Sequence, residues 1–169
     1  MNTDRTGQEW FDEEPVRFEC TLCGACCTGP SGFVLFSRAE GERIAQRLGI
    51  TYEDFYERYT HDTPAGRSFR ETPFVEPDGT VKHDCVFLDR ETEPGKLVCS
   101  LYEDRPTQCR TFPFWPEHMG SRRTWRMLGK SCEGIGRGAF VPASEIRIQR
   151  AKQESSRQEH GRLEPDSHQ

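Results

Sequence analysis

Residues Cys20-Thr21-Leu22-Cys23-Gly24-Ala25-Cys26-Cys27 read C-x-x-C-x-x-C-C, and four of the chain's eight cysteines stand inside this one stretch. A C-x-x-C pair lets two thiolates converge on one metal while amides of the turn hydrogen-bond the sulfurs. Gly24 supplies the positive-φ backbone that such a turn favours. A third cysteine two residues further on extends the pattern to the ligand run of ferredoxin-type clusters. The doublet Cys26-Cys27 is different. Adjacent side chains on extended backbone point to opposite sides, so one of the two serves a second metal or a supporting role.

The remaining cysteines, Cys85, Cys99, Cys109 and Cys132, are single and widely spaced. Structural zinc sites usually show two C-x-x-C knuckles, or a knuckle and a histidine pair. Here the distal thiols must be brought in by tertiary structure, and an iron–sulfur centre suits the spacing better than zinc. Eight thiolates match two four-coordinate zincs, one four-cysteine cluster with spares, or two clusters. Disulfides need an oxidising compartment, of which the sequence gives no sign. Buried free thiols are a reasonable reading for Cys85 or Cys99, but not for four cysteines packed so closely.

The rest of the composition is consistent with this reading. The chain has 169 residues, 33% of them hydrophobic and 30% charged, with a net charge of -5. That length suits one domain, whose small core would gain from a metal crosslink. The acidic balance argues against nucleic acid or a membrane surface as partner. No apolar run approaches the roughly 18 residues of a membrane helix, and the acidic N-terminus is no secretory signal. A cytoplasmic location is therefore expected. Residues 1–15 are expected to be a disordered acidic N-terminus, 16–150 the metal-binding domain and 151–169 a disordered polar tail. On that division, removing the residues after Arg150 leaves metal binding intact.

Local signals give a coarse fold. Ser37-Arg38-Ala39-Glu40 is a capping box, followed by Ile44, Ala45 and Leu48 at helical spacing and by Gly49 as a stop. Thr51 caps a second helix, with Phe55, Tyr56 and Tyr59 on one face. Gly32–Phe36 reads as a buried strand or extended segment. Pro77-Asp78-Gly79 turns a hairpin, and Cys85–Leu88 with Leu97–Leu101 forms another across Pro94-Gly95. Pro106, Pro113 and Pro116 prevent any long regular element after that hairpin. Ser144–Arg150 is expected as a final helix. The prediction is an α+β, small, single, loop-rich domain, with two short helices and β-hairpins around a cysteine metal cluster.

Several motifs together resemble the YkgJ-type cysteine-cluster family, the zinc- or iron-chelating C-x-x-C-x-x-C-C domain. They are C-x-x-C-G-x-C-C, then C-x-F-L at Cys85–Leu88, C-x-x-Y at Cys99–Tyr102 and R-P-x-x-C-R-x-F-P at Arg105–Pro113. The resemblance runs from about Phe18 to Gly134. It implies that Cys20, Cys23, Cys26, Cys27, Cys85, Cys99, Cys109 and Cys132 are metal ligands. It leaves open whether the metal is iron or zinc. The flagellin lysine-N-methylases look similar around their cysteines and are regarded as iron–sulfur proteins, which favours iron.

Arg105 and Arg110 bracket Cys109 and are candidates to stabilise thiolate or cluster charge. Phe112-Pro113-Phe114-Trp115 would shield the site or complete the core. His83 could ligate zinc but reads more readily as structural. Ser121–Arg126 is expected as a solvated strand face. The function expected is that of a metal-binding protein holding an iron–sulfur centre or zinc through eight cysteines. The alternative is an iron–sulfur-dependent or thiol-redox enzyme whose substrate the sequence does not name.

Overall fold

A computed structural model describes residues 8–160. In chain order the elements are α1 (Trp10–Glu13), β1 (Val16–Phe18), β2 (Thr28–Gly29), α2 (Arg38–Leu48), α3 (Tyr52–Tyr59), β3 (Thr60–Thr63), β4 (Gly66–Phe69), β5 (Glu71–Val75), β6 (Val81–Cys85), β7 (Leu88–Asp89) and β8 (Val98–Cys99). A 3-10 turn at Tyr102–Asp104 leads to α4 (Thr107–Thr111), α5 (Pro116–Met119), α6 (Arg122–Leu128), β9 (Ile135–Val141) and α7 (Ala143–His160). The strands form four small sheets, β1-β9, β2-β6-β5, β3-β4 and β7-β8, with antiparallel pairing throughout. Among the described residues no helix is long and apolar enough to cross a membrane.

Two separate cores hold this loop-rich chain together. The first gathers Phe36, Ile44, Ala45, Phe55, Phe69, Phe87 and Leu101. It grows from the two helices whose caps the sequence displays. Ser37 Oγ accepts from the Glu40 amide at 3.3 Å, and Glu40 returns a carboxylate oxygen to the Ser37 amide at 2.9 Å. Gly49, at φ 70°, ends α2 in the left-handed conformation. Thr51 caps α3 by accepting from the Asp54 amide at 3.1 Å. Gly41 lets the helices close on one another, for a Cβ there would lie 2.8 Å from the Tyr52 ring. Phe55, fully buried, stacks on Tyr59 and stands edge-on to Phe36 and Phe69. Burying such a ring stabilises by about 1.5–3 kcal/mol.

The second core joins the chain's ends, with Phe11, Val16, Phe114, Met119, Trp125 and Ile146 at its centre. It revises the expectation for both termini. Of the acidic stretch 1–15, residues 9–13 form a capped helical turn whose Phe11 is buried. The Trp10 indole donates to the Met119 carbonyl at 2.7 Å. Too few apolar residues stand there to make a core locally, but docking on Trp125 supplies the partner. The part before residue 8 lies outside the described residues. The polar tail likewise begins as helix: α7 continues through 151–160, and residues 161–169 lie outside the described residues. Gln153 is buried and accepts from the Thr111 hydroxyl at 2.9 Å. Arg147 pairs with Asp12 at 2.5 Å, and Arg150 pairs with Glu9.

Truncation after Arg150 is therefore expected to destabilise the protein by about 1–3 kcal/mol, since it removes the buried Gln153 together with its hydrogen bond to Thr111. Thermal unfolding of the truncated chain checks this, with a fall of roughly 2–4 °C per kcal/mol for a chain of this size.

Two further expectations change. The described residues contain seven α-helices, where two short ones and a final helix are expected from the sequence. Pro106 directly precedes α4 and Pro116 opens α5, because proline, which interrupts a helix interior, suits a first turn. Ser121–Arg126 is not a strand face. Ser121 caps α6, accepting from the Thr124 amide at 3.1 Å, and the helix buries Trp125. The Gly32–Phe36 segment is extended as expected, with one bridge from Leu35 to Ser68, but of its side chains only Phe36 is buried. The Pro77–Gly79 hairpin is present, while Cys85 pairs with Glu71 and leaves the next hairpin to β7 and β8.

Candidate metal centre

The C-x-x-C-x-x-C-C stretch forms the loop from β1 to β2. Leu22 at φ 58° and Gly24 at φ 69° turn the backbone left-handed. The turn is pinned from within and from across the fold. Gly24 O accepts from the Cys27 and Thr28 amides at 2.7 and 3.1 Å, and Leu22 O accepts from the Leu97 amide at 2.9 Å. Leu97 lies against Gly24, so that a Cβ there would fall 2.4 Å from the leucine Cβ. Gly24→Ala is expected to cost about 1–3 kcal/mol, through both the positive φ and the clash, as read by urea unfolding.

The other cysteines come in on separate elements. Cys85 ends β6, and its amide donates to Cys27 O at 2.8 Å. Beside this junction Arg90 pairs with Asp84 at 2.6 Å and reaches Thr28 Oγ1 at 3.3 Å, a clamp between the neighbours of Cys27 and Cys85. Cys99 ends β8, Cys109 lies in α4, and Cys132 follows α6. Gln108 docks α4 on the extended segment, accepting from the Leu35 amide and donating to Phe33 O. Glu40 closes the other side, accepting from the Thr107 amide and hydroxyl, each at 2.7 Å.

The outcome is two adjoining cavities. Cys20, Cys26, Cys27, Cys85, Cys99 and Cys109 line the first, of about 40 Å³; Cys20, Cys23, Cys26, Cys109 and Cys132 line the second, of about 130 Å³. Every cysteine of the chain lines at least one. Phe69, Phe87 and Leu101 of the first core wall one cavity, and Phe18, packed on the second core, walls the other. Cys20 and Cys26 are exposed, Cys132 is buried, and the rest are partly buried. None forms a disulfide. Yet among the described residues no three His, Cys, Asp or Glu side chains are grouped so as to hold a metal ion as they stand. The thiols surround the cavities without converging on a point.

Electrostatics link the thiols. Burial pushes the Cys85 thiol up to about 12 and raises Cys99 and Cys109 as well. Burial, with Cys23 alongside, pushes Cys132 up to about 11. Cys26 is the exception. Its sulfur lies 3.5 Å from that of Cys27, and this hydrogen bond, with help from Arg105, lowers Cys26 to about 7. Cys27 is raised in turn, first by that bond and then by burial. A negative charge on Cys26 raises Cys85, Cys99, Cys109 and Cys132 alike. A bound cation inverts this logic, because it favours thiolates.

A protein-family model described as "CxxCxxCC: Putative zinc- or iron-chelating domain" matches residues 19–133, from the residue before the first cysteine to the one after the last. The chain belongs to this family. Membership supports metal binding by this domain, with zinc or iron as the metal. No solved structure matches the chain.

Of the two arginines, Arg105 lines both cysteine cavities and lowers Cys26, while burial and neighbouring thiols outweigh its pull at Cys99 and Cys109. Its guanidinium lies over the Tyr102 ring at 3.8 Å and donates to Tyr102 O. Arg110 lines the second cavity and turns toward Glu40, 3.7 Å away. Phe112 lines the second cavity, whereas Phe114 belongs to the second core. His83 lines neither cavity, and its Nδ1 is buried without a partner. Tyr102 and Leu97, neither of them expected at the site from the sequence, face the thiols. The tyrosine has a visible signal, the C-x-x-Y spacing from Cys99.

Proposed function

We propose that the eight cysteines hold metal in two neighbouring centres and so join the two cores. Cys27, Cys85 and Cys99 belong to the first centre; Cys23 and Cys132 belong to the second. Cys20, Cys26 and Cys109, which line both cavities, complete the two ligand sets. The observation that carries this reading is that all eight thiols, from five separate places in the chain, line two adjoining cavities. The donor set is soft thiolate alone, which suits iron–sulfur clusters or zinc. The ferredoxin-like spacing favours iron–sulfur, with Arg105 balancing the charge. The thiols do not yet converge, and this fits a site that closes as metal binds, so that binding energy becomes folding energy.

A second reading rests on the Cys26–Cys27 contact and the low pKa of Cys26. These would suit a thiol-redox pair. Metal and acid-labile sulfide content, with a visible spectrum, of protein purified without oxygen separates the readings. Iron with matching sulfide supports clusters, and about two zincs per chain supports structural zinc sites. Metal-free, folded protein with reversible loss of two thiols would replace both by the redox pair.

A further inference from the structure

Beyond the cysteine cavities lies a third, much larger space, an open groove of about 740 Å³ between α4 and α7. Its size falls within the roughly 300–1,000 Å³ of small-molecule pockets. Arg105, Arg110 and Lys152 line it, against one carboxylate, Glu159. Ser155 and Ser156 add hydroxyls to the same wall. Gln149, Lys152, Ser156 and Glu159 recur at helical spacing, so a single face of α7 supplies this wall.

Exposed cations are usually no more than a solvated face. Here the protein carries 28 acidic against 23 basic residues, and most arginines near its ends are paired with carboxylates. Among the described residues, Lys152 has no ion pair, and Arg105, which packs on Tyr102 beside the cysteine cavities, has no carboxylate partner. Two cations without a carboxylate partner and a half-committed Arg110 thus face one cavity on an acidic protein. We propose that this groove binds a small polyanion bearing carboxylate or phosphate groups. Arg105 lines this groove and both cysteine cavities, so the anion would sit beside the thiols. The binding itself does not depend on what the thiols hold.

The test is calorimetric titration of the full-length protein, as purified, with inorganic phosphate and separately with citrate. Lys152→Glu serves as the groove variant, since the side chain is exposed and touches nothing its loss would unfold. Lys130→Glu, also exposed and away from the groove, makes the same charge change as a control. Saturable binding of either anion is expected, weakened about tenfold or more by Lys152→Glu and unchanged by Lys130→Glu. The two titrations tell a phosphate site from a carboxylate site. Binding of neither anion, or equal effects of the two variants, would overturn the proposal.

Discussion

Cys109→Ser is expected to lose bound metal and stability together. Cys109 sits on α4, lines both cavities and is raised by burial. Serine replaces a sulfur by an oxygen at nearly the same place, so as a packing change alone it would cost about 1 kcal/mol. As the loss of a ligand it costs far more. A metal present at about a thousand times its dissociation constant stabilises by roughly 4 kcal/mol. The expected fall in the unfolding midpoint is then about 8–16 °C, with at least one centre's worth of metal missing. A variant that keeps its full metal content would remove Cys109 from the ligand set.

Glu40→Ala is expected to be the most destabilising change outside the cysteines. This nearly buried carboxylate accepts from the Ser37 amide at 2.9 Å and from the Thr107 amide and hydroxyl at 2.7 Å. It thereby holds the start of α2 against the start of the helix that carries Cys109. Alanine leaves these donors without a partner, at a cost of about 3–5 kcal/mol. The effect has a pH signature. Burial pushes the Glu40 carboxyl up, but its hydrogen bonds and Arg110 outweigh that and hold it below the ordinary 4.5. A depressed folded-state pKa contributes stability that is fully present above the unfolded value. That stability is lost as the pH falls through the folded one. The wild-type protein should therefore lose stability below about pH 4.5 more steeply than Glu40→Gln. Parallel curves, measured by denaturant unfolding from about pH 3 to 7, would show that the carboxylate is not acting as described.

Much of this was legible locally. The caps at Ser37 and Thr51, the stop at Gly49, the Pro77–Gly79 turn and the cysteine run all depend on residues within a few positions of one another. The hidden part depends on distant partners. Glu40 was readable as half of a capping box, but its second role waits on Thr107, 67 residues away. Trp10 and Phe11 look stranded until Trp125 and Met119 are brought to them. Gln153 makes the last turns of α7 read as a polar tail, although its side chain is buried and its amide oxygen accepts from Thr111. Prolines read as breakers turned out to precede or open short helices. The cysteines were visible as a set, but their division between two cavities was not. It depends on the β2–β6 pairing and the docking of α4.

Metal ligation by the cysteines is tested most directly by the reactivity of individual thiols toward iodoacetamide, read by mass spectrometry with and without a strong chelator. Cys20 and Cys26 are the informative pair because both are exposed. Nothing but ligation would keep a reagent from them. Ligation by all eight cysteines predicts that both are protected, together with the other six, in protein carrying its metal, and that chelation makes both react rapidly. Rapid labelling of Cys20 and Cys26 at the same rate in both states would contradict it.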